Sequence, residues 1–158
     1  MRGGACCQRI KPVDISAIVE IVGGLPFVPA NVGSANPEKS PCFVVPSGHP
    51  LPRDVAEFVA GLGLGGDTRR ILFRKLGPRQ GMPRHVDRWM RDEADWRRFQ
   101  VPLVSDPSVV MRWPDDGVEV HLKPGFLYEV RFDRTHEVVN GWDGERIHLQ
   151  IDQVGATI

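Results

Sequence analysis

Alternation of apolar and polar residues predicts two β-strands in the C-terminal half of the chain. In 97–103, Phe99, Val101 and Leu103 fall on one face and polar residues on the other, and 146–152 has the same period. Successive side chains of a strand point to opposite sides of the sheet, so each strand has an apolar and a polar face. A polar face of this kind either contacts solvent or lines a wet cavity.

Six other segments have the short apolar runs and flanking turn residues that are typical of β-strands. They begin at Arg69, Arg84, Ser108, Val118, Phe126 and His136. Proline and glycine residues at 114–117 and 123–125 favour tight turns between some of these segments. The sequence therefore predicts eight strands between residue 69 and the C-terminus.

The N-terminal part of the chain predicts helices and loops. The apolar run at 13–22 is compatible with a short helix or a strand, and we favour the helix. Residues 23–52 contain seven prolines and predict a loop with a brief strand at 42–45, whereas 53–62 has the spacing of an amphipathic helix. We expect one structural domain, in which residues 1–68 support a β-rich core at 69–158.

Composition narrows the class of protein. The 158 residues include 20 Lys or Arg and 20 Asp or Glu, so no overall charge attracts nucleic acid or an anionic membrane. No apolar run approaches the length of a membrane span. The three cysteines, Cys6, Cys7 and Cys42, are too few for a disulfide framework. We therefore expect a cytoplasmic protein with no nucleic-acid or membrane partner.

Two histidines and one aspartate form a candidate metal site. His85 and Asp87 are two positions apart, and on a strand they would share one face. His136 lies at the start of another predicted strand, and a set of two histidines and one carboxylate suits Fe(II) with open coordination positions. By themselves, His85 and Asp87 are also compatible with a hydrogen-bonded surface pair. Arg146 is likewise compatible with an exposed arginine or with a ligand for a carboxylate.

Longer motifs around these residues resemble a known enzyme family. The segments PRHVD, RRFQVPLVSD and LKPGFLYEVRFDRTHEVVNGWDGERIHLQID are similar to those of the aspartyl/asparaginyl β-hydroxylases, within the Fe(II)/2-oxoglutarate-dependent dioxygenases. The likeness runs from about Ile71 to Asp152. The retained His-x-Asp motif is similar to that of small bacterial amino-acid hydroxylases, whereas some β-hydroxylases have glycine at the aspartate position.

The resemblance implies a mainly β protein with N-terminal helices, built on a double-stranded β-helix of the jelly-roll or cupin-like kind. Eight strands are the number that this fold needs. It also implies Fe(II), with 2-oxoglutarate and O₂ as cosubstrates. The metal ligands would be His85, Asp87 and His136, and the residues that bind the cosubstrate would be Arg146, Arg98, Gln100 and His148. Gln100 departs from the family pattern, which has histidine in this place.

The implied activity is hydroxylation of a C–H bond in a free amino acid or small metabolite. Two alternatives remain, namely β-hydroxylation of Asp or Asn side chains in a peptide or protein and a non-catalytic, cupin-like metal-binding barrel. Candidate residues that face the substrate are Trp89, Arg112, Trp113, Asn140 and Trp142. Trp89 belongs to a polar segment, 89–96, that we interpret as a lid. Asn140 and Trp142 are also compatible with a structural turn and a packed indole.

Overall fold

The computed structural model describes residues 5–25, 27–29, 41–44, 51–87 and 95–155. Its elements are β1 (Cys7–Pro12), α1 (Ser16–Val22), β2 (Val28–Pro29), β3 (Pro41–Val44), α2 (Arg53–Gly61), β4 (Asp67–Leu76), β5 (Gly81–His85), β6 (Trp96–Val104), β7 (Val109–Trp113), β8 (Val118–Val120), β9 (Phe126–Val130), β10 (His136–Asn140) and β11 (Arg146–Val154). A short 3-10 helix, Pro114–Asp116, connects β7 to β8. None of the helices in these ranges has the length and hydropathy that a membrane span requires.

The strands form two antiparallel sheets. The major sheet has the order β1-β9-β6-β11-β4-β3-β2, and the minor sheet has the order β5-β10-β7-β8. From β4 to β7 the chain alternates between the two sheets, and from β8 to β11 it does so again. This winding is the double-stranded β-helix of jelly-roll proteins, so the predicted fold is confirmed.

Two hydrophobic clusters explain which face of each strand is inside. The first lies between the helices and the outer face of the major sheet, where Ile18 and Val55 pack with Phe99, Val101 and Leu149. The second lies between the two sheets and includes residues from both. Because the helices cover the apolar faces of β6 and β11, the polar faces of these strands line the interior of the barrel.

Both predicted helices are present within the segments that the sequence indicates, at Ser16–Val22 and Arg53–Gly61. Strand β1 was not expected from its sequence, which has no clear alternation. It pairs with β9 along the edge of the major sheet, from Cys7 opposite Val130 to Pro12 opposite Phe126. Residues 7–12 therefore contribute backbone hydrogen bonds to the barrel.

Strand β5 differs from the prediction in a way that affects the site. It begins at Gly81 and ends at His85, so Asp87 lies beyond the strand and strand alternation does not set its direction. A Cβ atom at Gly81 would come within 2.8 Å of the Val138 carbonyl oxygen, which explains the glycine. Pro83 is tolerated because β5 is an edge strand.

Candidate active site

The structure brings His85, Asp87 and His136 together. One ligand atom from each lies within 4.8 Å of the other two. His85 ends β5 and His136 begins β10, and the two are direct cross-strand partners. The backbone nitrogen of Asp87 donates a hydrogen bond to the Phe132 carbonyl at 3.1 Å, and its Oδ1 lies 3.6 Å from His85 Nε2. Strand pairing and one loop hydrogen bond thus place the three groups.

Backbone carbonyls determine which nitrogen of each histidine can bind a metal. Nδ1 of His85 lies 2.7 Å from the Pro83 oxygen, and Nδ1 of His136 lies 2.9 Å from the Arg134 oxygen. A carbonyl oxygen only accepts, so in each ring Nδ1 carries the hydrogen. Each Nε2 therefore has a free electron pair, and a hydrogen bond of this kind also fixes the orientation of a metal-binding histidine.

His136 has the properties of an imidazole that is prepared for a metal ion. Its side chain is buried, and its Nε2 has no hydrogen-bond partner among the residues described. Burial lowers the pKa of His136 to about 4, so the ring is neutral at pH 7, as a metal ligand must be. A buried nitrogen without a partner costs about 1–3 kcal/mol. A metal ion would remove this penalty, so the residues fit a divalent cation.

The carboxylate of Asp87 is held in its ionised form. Its Oδ2 accepts a hydrogen bond from Nη1 of Arg98. Burial raises the pKa of Asp87, but the charge and hydrogen bond of Arg98, together with the charges of Arg74 and His85, outweigh this effect, and the pKa lies below its usual range. With Oδ2 bound to Arg98, Oδ1 is the oxygen that faces His85.

Arg98 also contacts a second carboxylate, which is fully buried. Its Nε donates to Asp152 Oδ1, and its Nη2 lies 3.2 Å from Asp152 Oδ2. On the other side of Asp152, Arg70 Nη2 lies 2.8 Å from the same Oδ2. These residues form one row across β6, β11 and β4. The row gives Arg98 two carboxylate partners within the protein, whereas the sequence predicts a contact with the cosubstrate.

The other predicted cosubstrate residues lie together on the inner face of the major sheet. Nη2 of Arg146 lies 2.7 Å from Nδ1 of His148, which lies 3.0 Å from the side-chain amide of Gln100. All three side chains are buried. Burial, followed by the charge of Arg146, holds the pKa of His148 well below its usual value.

Two polar atoms in this region have no hydrogen-bond partner in the described part of the chain. They are Nε2 of His148 and Oε1 of Gln150. Buried polar atoms normally have partners, and exceptions often mark a site for water, an ion or a ligand. The cluster of Arg146, His148 and Gln100 therefore has the chemistry of a pocket for a polar, anionic ligand.

Arg112 and Trp113 lie on opposite faces of β7, and their contact with substrate stays a prediction. Arg112 points out of the minor sheet, where its side chain is 41% exposed and forms ion pairs with Glu119 and Glu137. Trp113 points into the core between the sheets, and its Nε1 donates to the Arg131 carbonyl at 2.8 Å. Alternation along β7 places the two side chains on opposite faces.

Asn140 and Trp142 organise a turn at the far end of β10. Asn140 is four residues from His136, about 13 Å along a strand. Its side chain donates to the carbonyls of Gly77 and Gly144, at 2.7 and 3.0 Å, and accepts from the Trp142 nitrogen at 3.0 Å. The indole of Trp142 packs on Gly144, where a Cβ atom would approach the ring to 2.4 Å. Trp89 and most of the predicted lid at 89–96 lie outside the described residues.

Sequence reasoning missed two arginines on β4. Arg70, Leu72, Arg74 and Leu76 alternate along the strand, so Arg70 and Arg74 share the face that points into the barrel. This period-2 signal was present in the sequence, but surface exposure is the usual position of arginine. The pairing of Arg70 with Asp152 and of β4 with β11 shows that this face is internal.

Solved structures that share this architecture include two prolyl hydroxylases. The viral collagen prolyl hydroxylase vCPH from Paramecium bursaria Chlorella virus-1, in its 2OG complex, is 11% identical, with a TM-score of 0.67 over 96% of this chain and 97% of that chain. A prolyl-4-hydroxylase from Pseudomonas putida is 16% identical, with a TM-score of 0.63 over 94% of this chain and 92% of that chain. No known protein-family model matches the chain, and no curated protein matches it. The structural likeness shows the fold, a double-stranded β-helix shared with these two prolyl hydroxylases.

Proposed function

We propose that the protein is an Fe(II)- and 2-oxoglutarate-dependent dioxygenase that hydroxylates a C–H bond of a free amino acid or small metabolite. The observation that carries this proposal is the group of His85, Asp87 and His136 in the barrel. The Nε2 atoms of both histidines are available as ligands, and Asp87 is ionised. A set of two histidines and one carboxylate with open positions is typical of non-haem Fe(II) oxygenases.

The roles of the other residues follow from their chemistry. Iron, with 2-oxoglutarate and O₂, supplies oxidation of a C–H bond coupled to decarboxylation of 2-oxoglutarate to succinate. Arg146 would bind the distal carboxylate of 2-oxoglutarate, with His148 and Gln100 beside it. Arg98 orients Asp87 and is a positioning residue. Arg146, His148 and Gln100 are buried, which keeps bulk water away from the proposed cosubstrate site.

Membership of the aspartyl/asparaginyl β-hydroxylases is part of the proposal and is supported by the motifs around His85, His136 and Arg146. Hydroxylation of a residue within a peptide is a second candidate activity. It is supported by the names of the two structures of similar fold, which are a collagen prolyl hydroxylase and a prolyl-4-hydroxylase. A non-catalytic metal-binding barrel remains the alternative that an activity assay decides.

Succinate formation tests the proposal. Protein supplied with Fe(II), 2-oxoglutarate and O₂ is incubated with free amino acids in one series and with short peptides in another. We expect succinate release that depends on a free amino acid or small metabolite, and a product heavier by one oxygen atom in the mass spectrum. Stimulation by peptides alone would favour the second activity. Binding of Fe(II) without binding of 2-oxoglutarate would favour the non-catalytic barrel.

A further inference from the structure

Arg74 is a buried cation whose partner is missing from the described part of the protein. It lies on the inner face of β4, directly opposite His148 of β11, and it is 7% exposed. Its Nη1 lies 3.3 Å from the sulfur of Met82 on β5. A thioether is a weak acceptor without charge. No carboxylate of the described residues forms an ion pair with Arg74.

A buried guanidinium group without an anionic partner is unusual. Burial of an unpaired charge is costly, and arginines that are fully buried are normally paired. Arg70 and Arg98, which face the same interior, follow this rule because both bind Asp152. The contrast indicates that the anion for Arg74 comes from a ligand.

The charges inside the barrel lead to the same conclusion. Four guanidinium groups, those of Arg70, Arg74, Arg98 and Arg146, face two carboxylates, those of Asp87 and Asp152. These six side chains therefore contribute a charge of +2, since 4 − 2 = 2. A divalent metal ion adds two positive charges and the 2-oxoglutarate dianion removes two, so positive charge remains for another anion.

The side chain of Arg74 extends toward β5, the strand that ends at His85. Its guanidinium extends from the major sheet to Met82, which is three residues before the metal-ligand candidate His85. Its charge also acts on Asp87, after the larger effects of burial and of Arg98. Arg74 is therefore within electrostatic range of the carboxylate that belongs to the candidate metal site.

We propose that Arg74 binds the carboxylate of the primary substrate, and that this substrate is a small carboxylic acid, with free amino acids as the first class to test. The inference rests on the proposed function and deepens it. The C1 carboxylate of 2-oxoglutarate is a chemically similar anion, so the experiment separates the two sources.

The test compares Arg74→Met with Arg84→Met. Met has a similar length to Arg and no charge, and Arg84 is a matched control because it lies on the outer face of β5, is 65% exposed and pairs with Glu137. First, thermal unfolding of the metal-free proteins is measured. We expect Arg74→Met to unfold at the same or a higher temperature than the wild type, because removal of an unpaired buried charge relieves a penalty.

Second, binding is measured without turnover, with Mn(II) in place of iron and without O₂. Calorimetry gives the Kd of 2-oxoglutarate and then the Kd of L-amino acids, each as the free acid and as the amide. In Arg74→Met we expect an unchanged Kd for 2-oxoglutarate. The affinity for the free acid should fall by at least about 30-fold, which corresponds to about 2 kcal/mol at 1.4 kcal/mol per tenfold change. Amides should bind both proteins equally weakly, and Arg84→Met should behave as the wild type.

Several results would overturn the inference. A loss of 2-oxoglutarate affinity in Arg74→Met would assign Arg74 to the cosubstrate. A lower unfolding temperature of metal-free Arg74→Met would assign it a structural role. Wild-type protein that binds 2-oxoglutarate but prefers amides or peptides to free acids would exclude the substrate class while leaving the dioxygenase proposal intact. Wild-type protein that binds neither Mn(II) nor 2-oxoglutarate would instead reject the proposed function itself.

Discussion

Arg98 joins Asp87, the carboxylate beside the two histidines, to the interior of the major sheet. One side of its guanidinium donates to Asp87 Oδ2, and the other contacts the fully buried Asp152, 54 residues away in the sequence. Phe132 also packs against Arg98, 4.0 Å from the guanidinium carbon to the ring centre. The position of Asp87 therefore depends on a contact that crosses from the loop after β5 to β6.

Replacement of Arg98 by Gln should make metal binding more sensitive to acid. In the wild type, burial raises the pKa of Asp87, whereas Arg74, His85 and, most of all, the charge and hydrogen bond of Arg98 lower it. Without that charge, burial dominates and the pKa of Asp87 rises, so the carboxylate is protonated at a higher pH and leaves the metal. Mn(II) titrations from about pH 5 to about pH 8 should show the midpoint of metal loss at a higher pH in the variant. Arg97→Gln is the control, because Arg97 pairs with Glu129. Identical pH profiles for Arg98→Gln and the wild type would contradict the assigned role.

Replacement of His136 by Ala should remove metal binding or weaken it severely. One of three protein ligands is lost, and the two that remain do not form the facial set that Fe(II) prefers. His121→Ala is a matched control, because Nδ1 of His121 also lies near a backbone carbonyl, 2.9 Å from the Val109 oxygen, but His121 is outside the triad. Metal content measured after dialysis against Fe(II) under argon should be near zero for the first variant and unchanged for the second. Full iron content in His136→Ala would exclude His136 from the site.

Replacement of Arg146 by Ala should weaken 2-oxoglutarate binding and leave metal binding nearly intact. Loss of a charge-assisted partner in a buried pocket costs about 2–5 kcal/mol, or roughly 30-fold to several thousand-fold in affinity. Arg146→Lys should restore only part of the affinity, because an ammonium group lacks the planar fork of guanidinium. Calorimetry measures the Kd of Mn(II) on the metal-free proteins and the Kd of 2-oxoglutarate on the Mn(II)-loaded proteins. An unchanged Kd for 2-oxoglutarate in a well-folded Arg146→Ala variant would contradict the assignment. Arg79→Ala serves as the control, because Arg79 lies on the exposed surface.

The metal-free protein should lose stability as the pH falls from about 6.5 to about 4. Burial lowers the pKa of His136 to about 4, whereas an unfolded histidine titrates near 6.5. Between these values the unfolded chain binds a proton that the folded protein excludes, so acid favours unfolding. At 1.36 kcal/mol per pH unit, the loss across the window is about 3 kcal/mol. His148 contributes in the same direction, because its pKa is also lowered.

Urea unfolding at several pH values checks this expectation. The free energy of unfolding of metal-free wild type should decrease toward acid pH, and His136→Gln should show a smaller decrease because glutamine does not titrate. Saturating Zn(II) at pH 7 should add stability to the wild type and little to the variant. Parallel pH profiles for the two metal-free proteins would show that His136 is not the group responsible.

Local patterns in the sequence predicted several strands and helices, the fold and three residues of the candidate metal site. Alternation over 97–103 and 146–152 identified β6 and β11, and helical spacing identified α2, because these signals depend only on the geometry of one element. The motifs around His85, His136 and Arg146 indicated the fold through a family resemblance, and the structure confirms the double-stranded β-helix. The same motifs named three residues that the structure places together, although their binding of a metal remains a prediction.

Only the tertiary structure decided which faces and which partners these residues have. Sequence alternation did not show that Arg112 points outward while Arg74 points inward, because both lie on alternating strands and only the packing of the sheets distinguishes the sides. The sequence also did not predict that Asp87 lies in a loop and accepts a hydrogen bond from Arg98. Nor did it predict strand β1, which pairs with β9. These features depend on register and packing between segments far apart in the chain, and the free energy of such contacts is not encoded in the periodicity of any one segment.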